Sequence, residues 1–204
     1  AIKILNQLGI DLFAYTKSIG PVSCDEQDFN REEISNNKLY MPDADAAEKA
    51  SDYLAKCMED RNSSGGIVEC IVKHMPAGVG EPWFDSFESM LSHILFSVPG
   101  VKGVEFGDGF ALADLRGSQA NDAMEYRNGT VVAKTNHGGG IGGGITSGMP
   151  IVFRSAFKPT PSIFRTQETV DFAKMENAAL ALEGRHDPVI VHRAAVVVDS
   201  VTAL

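Results

Sequence analysis

A lysine and two hydroxyls alternate with two prolines in Phe157-Lys158-Pro159-Thr160-Pro161-Ser162. Proline holds φ at roughly −65° and donates no N–H, so the run presents Lys158, Thr160 and Ser162 in a preset arrangement. An ammonium, two hydroxyls and free backbone N–H groups suit a phosphate. A rigid surface turn uses the same residues. Further along, Gly184-Arg185-His186-Asp187-Pro188 places a cation, a titratable ring and a carboxylate consecutively in a turn. A guanidinium near Asp187 favours its ionised form, as a proton-handling group requires. An isolated Arg-x-Asp is also the pattern of a plain surface ion pair.

Six glycines fall within Gly138 to Gly144. Gly138, Gly140 and Gly143 match G-x-G-x-x-G formally, but a dinucleotide loop opens directly into a helix whose N-terminus faces the pyrophosphate. Ile145 to Pro150 is poor helix material, and Phe164 and Arg165 occupy the zone where an acidic ribose ligand belongs. What the glycines do allow is a backbone that runs against a flat ligand, or against another backbone, without Cβ clash.

Five histidines and three cysteines remain. His74, His93 and His192 lack metal-ligand spacing with Cys, Asp or Glu, so no metal site is assigned. Cys24, Cys57 and Cys70 are odd in number and widely spaced, which argues against a disulfide framework and for a reducing, cytoplasmic setting. The formal charge of −9 argues against a nucleic-acid protein held by a general basic field. It leaves room for an anionic ligand on a few local cations. No apolar run approaches the roughly 18 residues a membrane span needs.

The elements that position these residues follow from periodicity. Ile2, Ile4, Leu5 and Leu8 read as helix, ended by Gly9, and 10–19 as a strand. Residues 20–42 form a connector. Asp43 caps a helix to about Asp60, with Ala46, Ala47, Ala50, Leu54 and Cys57 on one face. Residues 62–66 and 74–82 read as loops, 67–73 as a strand. Phe84, Phe87, Met90, Leu91, Ile94 and Leu95 predict a helix over 83–97. Strands are expected at 102–106, 130–135 and 150–157, and a helix over 192–204; 167–181 shows no clear period. The mixture predicts an α/β or α+β fold with large sheets packed against helices. The chain (204 residues) starts and stops without caps, which predicts a single-domain piece of a longer protein.

Three long stretches carry a resemblance. NHGGGIGGGITSGMPIVFRSAFKPTPSI, GRHDPVIVHRA and SSGGIVECIVKHMPAGVGEPWFDSFESMLSHILFSVPGVKGVEFGDGF resemble, in order, the chorismate synthase family. The likeness runs from near residue 1 to residue 204 and covers the central and C-terminal portion of the family's chain.

The resemblance implies a cytoplasmic lyase of the shikimate pathway. Its reaction is the anti 1,4-elimination of phosphate from 5-enolpyruvylshikimate 3-phosphate, giving chorismate for aromatic amino acid biosynthesis. It implies reduced FMN as cofactor, although there is no net redox change, and a homotetramer with a β-α-β sandwich-type core. Carried over residue by residue, the FMN contacts are Pro99, Gly100, Gly143, Lys158, Pro159, Thr160, Pro161, Ser162 and Arg185. Asp187 matches the carboxylate that assists proton handling at the flavin. The family's N-terminal part supplies two catalytic histidines and arginine-rich segments, and their motifs are not found in this sequence. Two other readings stay open: a folded or oligomerising fragment that binds no flavin alone, and a flavin reductase using NADPH, for which no nucleotide fingerprint is present.

Overall fold

A computed structural model describes residues 1–184 and 187–204. In chain order its elements are α1 (Ile2–Gln7), β1 (Asp11–Ile19), β2 (Val22–Ser23), α2 (Glu33–Asn36), α3 (Ala44–Glu59), β3 (Gly66–Lys73), α4 (Phe87–Ser97), β4 (Val101–Phe106) and α5 (Gly117–Ala120). There follow β5 (Met124–Arg127), β6 (Thr130–Ala133), β7 (Ile141–Gly142), β8 (Ile145–Thr146), β9 (Ile151–Phe157), β10 (Gln167–Asp171), β11 (Glu176–Leu180) and α6 (Val191–Thr202). The fold is mixed α and β.

One five-stranded antiparallel sheet, ordered β2-β1-β3-β9-β4, organises the described residues. Side chains alternate between its faces. One face presents Leu12, Ala14, Val68, Cys70, Val72, Ile151, Phe153 and Phe157, all buried in the main core. α6 lies across β1 and β3 on that face, and α4 lies beside it along β4. Their stripes are Val191, Ala194, Ala195 and Val198 on α6, and Leu91 and Leu95 on α4. Small residues on α6 let the helix approach the strands closely, and burial of such side chains is the main favourable contribution to folding.

The other face carries charge. The register aligns Tyr15, Glu69, Arg154 and Glu105 across four strands. Arg154 Nε donates to Glu69 Oε2 at 2.5 Å and its Nη1 to Glu105 Oε1 at 3.3 Å and to the Gly107 carbonyl at 3.0 Å. The Tyr15 hydroxyl donates to the other Glu69 oxygen. Burial, followed by the Glu69 charge, pushes the Tyr15 phenol far above its ordinary value, so it stays a donor.

Three expectations need correction. The 83–97 helix begins only at Phe87, where Ser86 accepts from the Ser89 amide as N-cap, and Trp83–Asp85 is a separate short turn. Phe84 and Met90, two of the apolar positions that predict this helix, are 86% and 58% exposed. The region without clear period, 167–181, is a regular hairpin of β10 and β11 paired from Gln167↔Leu180 to Asp171↔Glu176. Instead of several large sheets, there is one large sheet and three two-stranded hairpins among the described residues.

Candidate functional site

α4 stops at Ser97 because Val98 precedes a proline and is pushed to extended geometry. Gly100, at φ +93°, then turns the chain into β4. On the neighbouring strand, β9 leaves the sheet at Phe157 and enters the proline run. The Lys158 amide donates to the Gly100 carbonyl at 2.9 Å, so Pro99–Gly100 and Lys158 meet at one end of the sheet. Pro159 has no N–H and ends the ladder there.

Two further segments close on the same end. The Ser63 hydroxyl donates to the Thr160 carbonyl at 2.6 Å, across 97 residues of sequence. The neighbouring Ser64 amide donates to the Pro188 carbonyl at 2.7 Å. Asp187, one residue earlier, accepts from Arg193 Nη2 at 2.5 Å on the first turn of α6. That guanidinium is a partner the sequence reading did not assign. Arg185, the expected partner and cofactor contact, lies outside the described residues.

Electrostatically the site is underpaired. Among the described residues Lys158 makes no ion pair, and the Thr160 Oγ1 is buried without a hydrogen-bond partner. An orphaned buried hydroxyl is uncommon in a folded protein, and the Thr16 and Ser155 hydroxyls within the sheet share that state. His192, beside Asp187 and Arg193, is half-buried and has an unpartnered Nδ1. Burial and then the Arg193 charge hold its pKa below the ordinary histidine value despite Asp187. Next to the proline run, Arg61, Phe164, Thr166, Glu183 and Gly184 line a cavity of about 390 Å³.

Gly143 lies elsewhere. It sits at the tip of the β7–β8 hairpin, and Gly144 next to it accepts from the Phe87 amide at the start of α4. Pro99 and Gly100 follow the end of that same helix. The 11 residues of α4 therefore separate them from Gly143, roughly 16 Å at 1.5 Å per residue. The structure thus brings Pro99, Gly100, Lys158, Pro159, Thr160, Pro161 and Ser162 together, with Asp187 at the same end, and leaves Gly143 at the other. Most of the glycine run serves backbone packing. A Cβ at Gly139 would meet the Val152 carbonyl at 2.7 Å, and one at Gly140 the Pro150 carbonyl at 2.5 Å; at Gly142 and Gly143 it would meet open space.

His137 and Asp122 tie that glycine run down. His137 Nδ1 meets Asp108 Oδ2 at 2.5 Å. Asp122 accepts from the amides of His137 and Gly138 at 2.8 and 2.9 Å and from the Thr135 hydroxyl at 2.7 Å. Burial opposes its ionisation, but the Gly138, Thr135 and His137 donors outweigh that and hold its pKa below the usual carboxylate value. No His/Cys/Asp/Glu cluster able to hold a metal ion is present among the described residues. Nor is any helix there long and apolar enough to cross a membrane.

Comparison with known proteins covers the whole chain. The family model described as chorismate synthase matches residues 1–204. A chorismate synthase from Agathobacter rectalis is 48% identical over 204 residues, spanning 100% of this chain and 55% of that protein. One from Thermococcus gammatolerans is 46% identical over 203 residues, spanning 100% of this chain and 57% of its own length. A crystal structure of chorismate synthase superposes with a TM-score of 0.80 at 28% identity, covering 99% of this chain and 57% of that one. The chain thus spans just over half the length of the relatives it matches, and it belongs to the chorismate synthase family.

Proposed function

We propose that this chain supplies the flavin-phosphate end of a chorismate synthase, as its central and C-terminal part. The reaction is anti 1,4-elimination of phosphate from 5-enolpyruvylshikimate 3-phosphate with reduced FMN, in a cytoplasmic homotetramer. One observation carries this reading: the Lys158–Ser162 run and Pro99–Gly100 are joined at a sheet end where, among the described residues, Lys158 makes no ion pair and the Thr160 hydroxyl no hydrogen bond. An ammonium and an unpartnered hydroxyl on a proline-stiffened loop fit a doubly charged phosphoryl group within a chain of net charge −9.

In this reading Lys158, Thr160 and Ser162 bind the phosphoryl end of FMN. The backbone at Pro99, Gly100, Pro159 and Pro161 shapes the seat, and Arg185 adds a second cation. Asp187 accepts a proton at the flavin, its carboxylate oriented by Arg193. The bound reduced cofactor supplies transient electron density as phosphate leaves.

The test uses the full-length protein that contains this chain. Lys158→Ala is expected to weaken reduced-FMN binding at least tenfold, and Asp187→Ala to cut turnover with little change in binding. Unchanged affinity and turnover in both variants would overturn the assignment. A second reading applies to the 204-residue piece alone, because it spans only 55–57% of its relatives. On that reading the piece folds or oligomerises without binding flavin. Titrating it with reduced FMN decides, since micromolar binding excludes this second reading.

A further inference from the structure

We infer that Ser63 is a positioning residue: its hydroxyl fixes the Lys158–Ser162 run in the shape that receives a phosphoryl group. The inference rests on the flavin-phosphate reading above and names what builds that seat. Pro159 and Pro161 fix φ at their own positions, and Pro161 holds Thr160 to extended backbone, but neither anchors the run to the rest of the fold. The Ser63 hydroxyl donates to the Thr160 carbonyl at 2.6 Å and supplies that anchor. Its bond occupies the backbone acceptor of Thr160, whose Oγ1 is buried without a hydrogen-bond partner among the described residues.

Ser63 can do this because its own segment is clamped. The Asn62 side chain accepts from the Ser63 amide at 3.0 Å. The Ser64 amide is held by Pro188, and the Gly65 carbonyl accepts from the Gly20 amide at 2.9 Å. Gly65 passes so close to the proline run that a Cβ there would strike the Phe157 carbonyl and sit 3.1 Å from Pro159 Cδ. The Asn62–Gly66 segment therefore links the end of β1, the exit of β9 and the Asp187–Pro188 turn, and among the described residues Ser63 makes its one side-chain hydrogen bond to the proline run.

The experiment measures reduced-FMN and reduced-riboflavin affinities of the full-length protein and its variants. Ser63→Ala is expected to raise the FMN dissociation constant about tenfold, leave riboflavin affinity unchanged because riboflavin lacks the phosphate, and keep kcat at saturating FMN. Ser63→Thr, which retains the hydroxyl, restores FMN affinity. Ser51→Ala loses a comparable hydroxyl bond to the Ala47 carbonyl on α3 and changes neither constant. Should Ser63→Ala fail to fold, Ser63→Cys, close in shape with a weak donor, gives the same selective loss. Equal FMN affinity in wild type and the alanine or cysteine variant overturns the role of Ser63 alone. Equal losses for FMN and riboflavin overturn it too. A wild-type protein with no affinity for FMN overturns the flavin reading and this inference together.

Discussion

The Lys158 amide donates to the Gly100 carbonyl at 2.9 Å, closing the gap between the turn after α4 and the exit of β9. Gly100 sits at φ +93°, and a Cβ there would lie 3.1 Å from Ile190 Cδ1, just ahead of α6. Gly100→Ala therefore meets both a strained backbone and a tight contact. A non-glycine residue held in that region costs on the order of 1–3 kcal/mol. The expected outcome is a loss of that size in denaturant-measured stability, together with weaker FMN binding as the Lys158 anchor shifts. Unchanged binding in a destabilised variant would show that the anchor is not part of the cofactor seat.

Gly65→Ala tests the same region through sterics alone. Its backbone is not in the left-handed region, so strain comes only from the Phe157 carbonyl and Pro159, both main-chain or ring atoms that cannot swing aside. The proline run must move for the methyl to fit. FMN affinity is expected to fall more than tenfold, with a stability loss of roughly 1–3 kcal/mol from overpacking. Calorimetric titration against wild type checks it.

On the opposite sheet face, Glu69 is 4% exposed and holds both Arg154 and Tyr15. Removing Glu69 leaves the Tyr15 hydroxyl without its acceptor and Arg154 with only Glu105 and the Gly107 carbonyl, and losing one partner of a buried pair costs up to about 3–5 kcal/mol. Glu69→Ala should cost that much, while the double change Glu69→Leu with Arg154→Leu should recover most of it. Chemical denaturation of the two variants distinguishes the cases: a double variant as weak as the single one would mean the pair contributes more than charge compensation.

Periodicity made the helices and central strands legible. Ala46, Ala50, Leu54 and Cys57 fall on one helical face, and the Ile/Val run of β3 reads as strand, as found. β11 was not legible, because Glu176, Ala178, Ala179 and Leu180 individually favour helix and only pairing with β10 makes them a strand. Phe84 misled because its spacing continues the α4 pattern across a turn that Pro82 and Ser86 impose. At the site, the proline run and the Asp187 turn stood out by composition. Ser63 did not, since a serine's partner 97 residues away leaves no local signature; the Gly65-Gly66 pair before a strand was the available hint of close backbone approach. The far placement of Gly143 was invisible for the same reason.

His192 and Asp199, both on α6, shift in directions that make stability depend on pH in two ways. Burial lowers the His192 pKa below 6.5, so the unfolded chain takes up that proton first. Its contribution is intact above pH 6.5 and is lost as the pH falls below that value, levelling off below the folded-state pKa. Burial raises the Asp199 pKa above 3.8, despite the Ala14 amide and Arg31, so its ionised form is disfavoured in the fold. That penalty is present at neutral pH, shrinks as the pH falls through the raised folded-state pKa and is gone below 3.8. Asp199→Asn is therefore expected to raise the melting temperature at pH 7 and to leave it unchanged near pH 3. His192→Gln is expected to flatten the decline in stability between pH 7 and pH 5 without altering the pH 8 value. Melting curves collected from pH 3 to pH 8 for both variants measure the two effects separately, because each variant removes one of the two groups. A decline between pH 7 and pH 5 that persists in His192→Gln would assign it to another group.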